Sequence, residues 1–348
     1  MLTRFSGKDH PCLITLLSAF TWKGRFRLLF PCAKYDLDEF WAATTAPIGP
    51  SGAIDPAYMR WVSRQIRGLM EALKFIHDPH RKELDASDVY GKHGDLKPQN
   101  VLWFESPTDE RGILVITDLG LTEVHRDESK SNIPNANVPQ TPGYRPPECD
   151  IEGGDISRAF DIWTMGCLFL EKVCWLLGDN EERTAFAAKR MKRYVMTQVR
   201  SNIFFDIQAH QNSNRHVVKV KDSVTECMRS LHEKERCTEF VHDFLDLIHK
   251  EMVIILSPSK KRGTSEYLVQ KLSAMHERAM DETDVDYIAK CCPRKWPEPD
   301  PRQVPQAVVV DLNSKAKELA TLYVGLLAPY KGSAESMSTA QLVEAQGK

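Results

Sequence analysis

A polar segment over residues 93–100 (His-Gly-Asp-Leu-Lys-Pro-Gln-Asn) constrains this chain more than any other feature of its sequence. A second motif, Asp-Leu-Gly, begins at Asp118, eighteen residues after Asn100. The first motif lies before a predicted strand over 101–104, and the second follows a predicted strand over 113–117. The sequence therefore predicts a short hairpin with polar side chains from two neighbouring turns converging on one centre.

These side chains suit phosphoryl transfer, which needs an aligned nucleophile and neutralised phosphate charge. Asp95 is the candidate base that takes the proton of a hydroxyl. Lys97 would reach the transferred phosphate and stabilise its developing charge. Asn100 and Asp118 supply hard oxygen ligands for Mg²⁺. Each residue alone has an ordinary explanation, such as a solvated ion pair or a common turn, so the order and spacing of all four indicate the chemistry.

With its flanking motifs, the chain resembles a eukaryotic protein kinase from about residue 10 to about residue 272. In this resemblance 93–100 is the catalytic loop, and 141–148 (Thr-Pro-Gly-Tyr-Arg-Pro-Pro-Glu) resembles the end of an activation segment. Asp161 matches the buried Asp that caps the catalytic-loop backbone, and Arg262 matches the late Arg that pairs with the Glu of the activation segment, here Glu148. The resemblance implies an α+β, protein-kinase-like fold with a complete, mainly helical C-lobe and a truncated β N-lobe.

The resemblance also implies an activity, the transfer of the ATP γ-phosphate to Ser or Thr of a protein substrate, with ATP and Mg²⁺ as cofactors. Lys97 has the form found in Ser/Thr kinases, and Thr141 matches a Thr that there bonds the catalytic Asp and Lys. Phe30, Pro31 and Ala33 fall on the hinge. Phe30 would lie behind the adenine, and the backbones of Pro31 and Ala33 would bond its edge. Pro31 is tolerated because only its carbonyl is used.

The chain also departs from the family pattern. Gly94 replaces the Arg that usually grips an activation-loop phosphate, so regulation by that phosphate is not expected. The glycine-rich loop, the strand Lys and the helix Glu of the family are absent from the sequence. His10 and Pro11 match the start of the fourth strand, which would put the helix Glu at about Met1. We expect either a fragment of a complete kinase or a real truncated chain. Catalysis by this polypeptide is expected to be impaired, because the missing groups position and neutralise the phosphates.

Two alternatives belong to other function classes. One is a catalytically weak pseudokinase that acts as a scaffold or regulator. The other is a small-molecule kinase of the aminoglycoside type, which the Pro-Pro-Glu segment, Thr141 and Arg262 disfavour, because they serve a platform for protein substrates.

Apolar periodicity predicts the elements around these motifs. Strands are predicted over 12–20 and 25–30, and Asp55 is predicted to cap a helix with Pro56 in its first turn that runs to His77. Further helices are predicted over 161–175, 181–200, 223–256, 264–280 and 309–328. Three segments follow: 1–33 as a remnant of the N-lobe with the hinge, 34–280 as the C-lobe, and 281–348 as a proline-rich linker with a partly disordered tail and one helix.

Composition excludes several other classes of protein. Lys plus Arg number 46 and Asp plus Glu 48, so the net charge of −2 favours neither nucleic acid nor an anionic membrane as partner. The 9 Cys residues contain no Cys-x-x-Cys pair, and their odd number and spacing suit a reducing, intracellular compartment, cytoplasmic or nuclear. No apolar run approaches the roughly 20 residues of a membrane helix, and no signal peptide is recognised.

Overall fold

The computed structural model describes residues 10–49, 52–78, 90–119, 123–125, 133–134, 143–194, 200–210, 215–296 and 307–312. The helices in these ranges are α1 Leu37–Ala43, α2 Pro56–His77, α3 Ala159–Arg190, α4 Asp222–His232, α5 Glu239–Leu247, α6 Ser265–Met280 and α7 Asp286–Ala289. The strands are β1 Ser18–Trp22, β2 Arg25–Leu29, β3 Tyr35–Asp36, β4 Tyr90–Lys92, β5 Val101–Phe104, β6 Ile113–Ile116, β7 Glu123–His125, β8 Ile133–Pro134, β9 Asp155–Ile156, β10 Lys192–Arg193, β11 Arg200–Ser201, β12 Phe205–Ala209, β13 His216–Val220 and β14 Val308–Val310.

The core is built around α2 and the first half of α3. As predicted, Asp55 caps α2, since its carboxylate accepts the N–H of Tyr58 at 2.9 Å, and Pro56 is the first helical residue. α2 buries one apolar face and packs against α6. The first half of α3 is buried almost all round, as expected for a helix inside the body. None of the helices in the described ranges combines the length and apolar character that crossing a membrane requires.

α3 differs from its prediction because it breaks at Gly178 and Asp179. The φ of Asp179 is 55°, in the left-handed region, so a continuous α-helix cannot pass through it. The second part ends at Arg190, and the expected helix over 181–200 is therefore only half as long. At this end the ammonium of Lys221 donates to the Arg190 carbonyl at 2.7 Å and satisfies one of the last helical acceptors. The expected helix over 223–256 is also divided, into α4, α5 and a π-helical turn.

A three-stranded antiparallel sheet, in the order β3-β5-β6, carries the two motifs. Val101 pairs with Ile116, so the predicted hairpin is present and its open end faces the motifs. Asn100 precedes β5 and Thr117 follows β6, and the N–H of Thr117 donates to the Asn100 carbonyl at 3.0 Å. Both loops therefore leave the sheet at the same end.

The N-terminal hairpin, β1 with β2, turns through Lys23 and Gly24, which have φ values of 49° and 70°. Two left-handed residues are typical of a type I′ turn. Every residue of both strands is exposed. The predicted strand over 12–20 is only partly formed, since β1 begins at Ser18. Cys12 and Ile14, at its predicted start, instead bond the backbone of Ile116 in β6.

The segment after residue 280 packs on the body more than a linker would. Tyr287 and Ile288 are buried, and the N–H of Cys292 donates to the Cys237 carbonyl at 2.8 Å. β14 pairs with β13, so the described start of the predicted helix over 309–328 is extended. The β-branched residues of Val308–Val310 suit a strand, and β13 offers it a free edge. The remainder of that predicted helix lies outside the described residues, and the division into three segments stays a prediction.

Candidate active site

Three of the four polar residues singled out in the sequence contact one another. Lys97 donates from its ammonium to Oδ2 of Asp95 at 2.6 Å. The amide nitrogen of Asn100 donates to the same oxygen at 3.0 Å and to the Asp95 carbonyl at 2.7 Å. A 3₁₀ turn over Pro98–Asn100 brings the Asn side chain back toward Asp95. Hydrogen bonds that involve charged partners are strong, so they fix the orientation of the Asp95 carboxylate.

Exposure separates the roles of these residues. The side chain of Asp95 is 12% exposed and that of Lys97 is 21% exposed, so an incoming group can reach both. Asn100 is buried. Because the two side-chain hydrogen bonds that the structure describes for Asn100 both use the amide nitrogen, its side-chain oxygen Oδ1 is the atom that suits a metal ion.

The fourth residue, Asp118, is exposed and has a strained backbone. Its φ is 58°, a left-handed value that is uncommon for residues other than Gly. Such strain clusters at functional sites, where the surrounding structure holds it in place. Here the holding contacts are the Thr117 to Asn100 backbone bond on one side and the buried Leu119 on the other. Asp118 therefore lies directly beside the loop of Asn100, while Gly120 lies outside the described residues.

Asp161 anchors the catalytic loop, as the sequence predicts. Its carboxylate accepts the backbone N–H groups of His93 at 2.7 Å and Gly94 at 2.8 Å, and Nε2 of His77 lies 2.9 Å from Oδ2. Complete burial raises the pKa of Asp161, but the His77 hydrogen bond and charge, with His93 and the Gly94 amide, outweigh it and lower the pKa below its ordinary value. The carboxylate is therefore ionised, with its hydrogen bonds made.

Gly94 has a structural reason to be glycine. Its φ is 81°, in the left-handed region that glycine adopts without strain. In this conformation its N–H points to Oδ1 of Asp161. The departure of this position from the family pattern is thus compatible with an anchored loop.

Two contributors to the site were missed by sequence reasoning. His77 ends α2, and its apolar-face position there carries no sign of a bond to Asp161, 84 residues away. The backbone carbonyl of Thr117 was missed because no side chain marks it. It lies 2.8 Å from Nε2 of His93 and so links the catalytic loop to the turn of Asp118.

Glu148 and Arg262 form the predicted buried ion pair. The two guanidinium nitrogens lie 2.6 and 2.9 Å from the two carboxylate oxygens. Arg262 also donates to the carbonyls of Ile254 and Ala159 at 2.9 and 2.8 Å. Arg262 therefore ties the 3₁₀ turn over Pro147–Cys149 to the start of α3.

The predicted hinge residues Phe30, Pro31 and Ala33 lie between β2 and β3. Phe30 is half-buried against the core. The N–H of Lys34 donates to the Trp103 carbonyl at 3.2 Å, which attaches this segment to β5. Three residues along β5, roughly 10 Å, separate that point from Asn100. A role in binding adenine stays a prediction, and Thr141 lies outside the described residues.

Comparison with known proteins identifies the family. The model of the protein kinase domain matches residues 1–245, so this chain belongs to the protein kinase family. The predicted α+β, kinase-like fold is confirmed.

Several curated relatives are cyclin-dependent kinases. Cyclin-dependent kinase 8 of Caenorhabditis elegans is 36% identical over 80 residues, which is 23% of this chain and 14% of the relative. Cyclin-dependent kinase 7 of Xenopus laevis is 28% identical over 176 residues, 50% of this chain and 42% of the relative. Cyclin-dependent kinase 14 of Xenopus tropicalis is 26% identical over 167 residues, which is 48% of this chain and 33% of the relative. The chain spans less than half the length of these relatives.

Proposed function

We propose that this chain transfers the γ-phosphate of ATP to a Ser or Thr hydroxyl of a protein. The catalytic and metal-binding residues of the proposal are Asp95, Lys97, Asn100 and Asp118. The observation that carries the proposal is the position of the Asp95 carboxylate, held by Lys97 and Asn100 at 2.6 and 3.0 Å, next to the turn of Asp118. Membership of the protein kinase family supports the reaction class.

Asp95 orients the substrate hydroxyl and accepts its proton as the oxygen attacks the phosphorus. A general base of this kind must lie within hydrogen-bond reach of its proton, and the partial exposure of Asp95 allows that approach. Lys97 is close enough to stabilise both Asp95 and the charge that develops on the transferred phosphate. Asp161 acts through the backbone, since it holds the loop that presents Asp95.

The donor atoms fit a magnesium ion. The side-chain oxygen of Asn100 and the carboxylate of Asp118 are hard oxygen ligands. Two protein ligands leave most coordination places to phosphate and water, as Mg²⁺ prefers. When bound, the ion neutralises phosphate charge. The roles of Phe30, Pro31 and Ala33 toward adenine belong to the same proposal, because a nucleotide that lies along the sheet would reach from the hinge segment to the catalytic loop.

The test is transfer of label from γ-labelled ATP to a protein substrate by three proteins at equal concentration. These are the wild type, Asp95→Asn, and the matched control Asp286→Asn, whose side chain is 75% exposed at the surface of α7. Loss of a general base lowers a true rate by about 10² to 10⁴. The control is expected to keep the wild-type rate, and a substrate with Ala in place of Ser and Thr is expected to take up no label.

Equal labelling by the wild type and Asp95→Asn would overturn the proposal. It would mean that the chain does not catalyse the transfer, which is the behaviour of a scaffold. Urea unfolding of both variants checks that any loss comes from chemistry and not from unfolded protein.

A further inference from the structure

A cavity of about 830 Å³ lies on the far side of the residues that anchor the catalytic loop. It is formed by the end of α2, the start of α3, and the loop over 256–264 with the first turn of α6. Its volume falls in the range of small-molecule sites, roughly 300 to 1,000 Å³. The cavity has no part in the chemistry proposed for Asp95.

The charge of its walls is positive. The cations are Lys74, Arg158, Lys260, Lys261 and Arg262, and the anions are Asp78 and Glu266. Cations therefore exceed anions by three, which is five minus two. Arg262 is neutralised by Glu148, outside the cavity, and Lys74 forms an ion pair with Glu266 within the lining. The formal excess that remains is about two positive charges, which corresponds to Lys260 and Lys261.

Hydrogen-bond donors add to this charge. The backbone N–H groups of Ser265 and Glu266 lie in the first turn of α6, where helical N–H groups have no partner within the helix. The positive end of the helix dipole lies at the same place. Thr264 caps a different N–H, that of Tyr267, and so leaves these two available.

The cavity touches both anchors of the active site. His77 lines it and bonds Asp161, the acceptor of the His93 and Gly94 amides. Arg262 lines it and holds Glu148. Nδ1 of His77 lies 3.2 Å from the hydroxyl of Ser265, so the wall of the cavity and the catalytic loop share one hydrogen-bonded chain.

We propose that this cavity binds a small molecule that bears a phosphate group, and that binding tightens the catalytic loop through His77 and Asp161. A phosphate monoester carries a charge of about −1.5 to −2 at pH 7, which matches the excess of the walls. The first-turn amides of α6 suit its oxygens. Binding itself does not depend on the proposed kinase activity, because the lining of the cavity does not include Asp95, Lys97, Asn100 or Asp118.

The binding test uses inorganic pyrophosphate and inorganic phosphate, each titrated by calorimetry at constant ionic strength. Magnesium is left out, so that the catalytic centre does not compete. The variant Lys260→Gln/Lys261→Gln removes two charges of the cavity. The matched control Lys189→Gln/Lys295→Gln removes two exposed charges elsewhere. We expect pyrophosphate to bind the wild type and the control alike, and the cavity variant at least about tenfold more weakly, a difference of one order of magnitude in Kd.

A second readout tests the coupling. Hydrogen exchange of the His93 and Gly94 amides is expected to slow severalfold with pyrophosphate in the wild type and the control, and to stay unchanged in the cavity variant. Equal affinity in all three proteins would mean nonspecific charge attraction and would overturn the site. Absence of binding at about 1 mM would do the same. Binding without slower exchange would overturn the coupling.

Discussion

The catalytic loop and the N-terminal hairpin depart in opposite directions from the usual separation of polar and apolar side chains. Around the loop, polar groups are buried: Asp161 is 0% exposed and Asn100 is 6% exposed. In the hairpin, large apolar groups are outside: Trp22 is 59% exposed and Phe26 is 71% exposed. Buried polar and exposed apolar groups are the informative exceptions in a fold.

The difference shows what holds each region. The buried polar groups of the loop have partners, so their burial costs little and fixes one geometry for Asp95. In the described part of the chain, the hydrogen bonds of the two hairpin strands join them to each other, and an isolated two-stranded hairpin is marginally stable in water. The loop is therefore expected to be rigid and the hairpin to open locally at low cost in free energy.

The largest expected effect comes from removing the loop anchor. Asp161→Ala leaves the His93 and Gly94 amides and the His77 ring without their acceptor, all in a fully buried site. Loss of one partner in such a network costs about 3–5 kcal/mol of the free energy of unfolding. Urea unfolding measures it, with Asp286→Ala as the surface control. A loss below about 1 kcal/mol would contradict the anchoring role.

A second prediction contrasts Asp161, a buried charge with hydrogen-bond partners, with Lys172, a buried amine for which the structure describes none. The ammonium of Lys172 has no hydrogen-bond partner among the described residues and lies over the rings of Trp175, Trp61 and Phe40 at 4.4, 5.1 and 5.9 Å. Burial lowers the pKa of Lys172 from its ordinary 10.5 to about 7.

Between these two pH values the unfolded chain binds one more proton at Lys172 than the folded chain. This group therefore destabilises the fold fully below about pH 7, and its penalty disappears as the pH rises toward 10.5. The free energy of unfolding of Lys172→Met relative to wild type is expected to fall by roughly 1 kcal/mol per pH unit over that window. Urea unfolding at several pH values measures the difference. A difference independent of pH would contradict the lowered pKa.

The sequence predicted the elements that depend on local signals. Asp55 with Pro56 located the start of α2, and the family resemblance located both Asp161 beneath the catalytic loop and the Glu148–Arg262 pair.

Contacts between distant parts of the chain could not be predicted from local signals. The strand Val308–Val310 needs β13, about ninety residues earlier, as its partner, and apolar residues alone do not distinguish a strand from a short buried helix. The Arg190 carbonyl at the end of α3 accepts from the ammonium of Lys221, which lies 31 residues further along the chain. The cavity beside His77 likewise exists only because three separate elements meet there.

The smallest expected effect is in the hairpin. Phe26→Ala should change the free energy of unfolding by no more than about 0.5 kcal/mol, since the ring is already in water. The matched substitution Phe169→Ala, at a ring that is 0% exposed in α3, should cost about 3–5 kcal/mol. The same denaturant series measures both. A cost above about 2 kcal/mol for Phe26→Ala would show that the hairpin packs against the body.

The most direct test of the catalytic centre asks whether Asn100 and Asp118 share one metal–nucleotide site. Calorimetry gives the affinity for MgATP of the wild type, Asn100→Ala, Asp118→Ala and the double variant. Residues that act on the same ion are coupled. The loss in binding free energy of the double variant should therefore differ from the sum of the two single losses by roughly 1–3 kcal/mol. Losses that add to within about 0.5 kcal/mol would contradict a shared site.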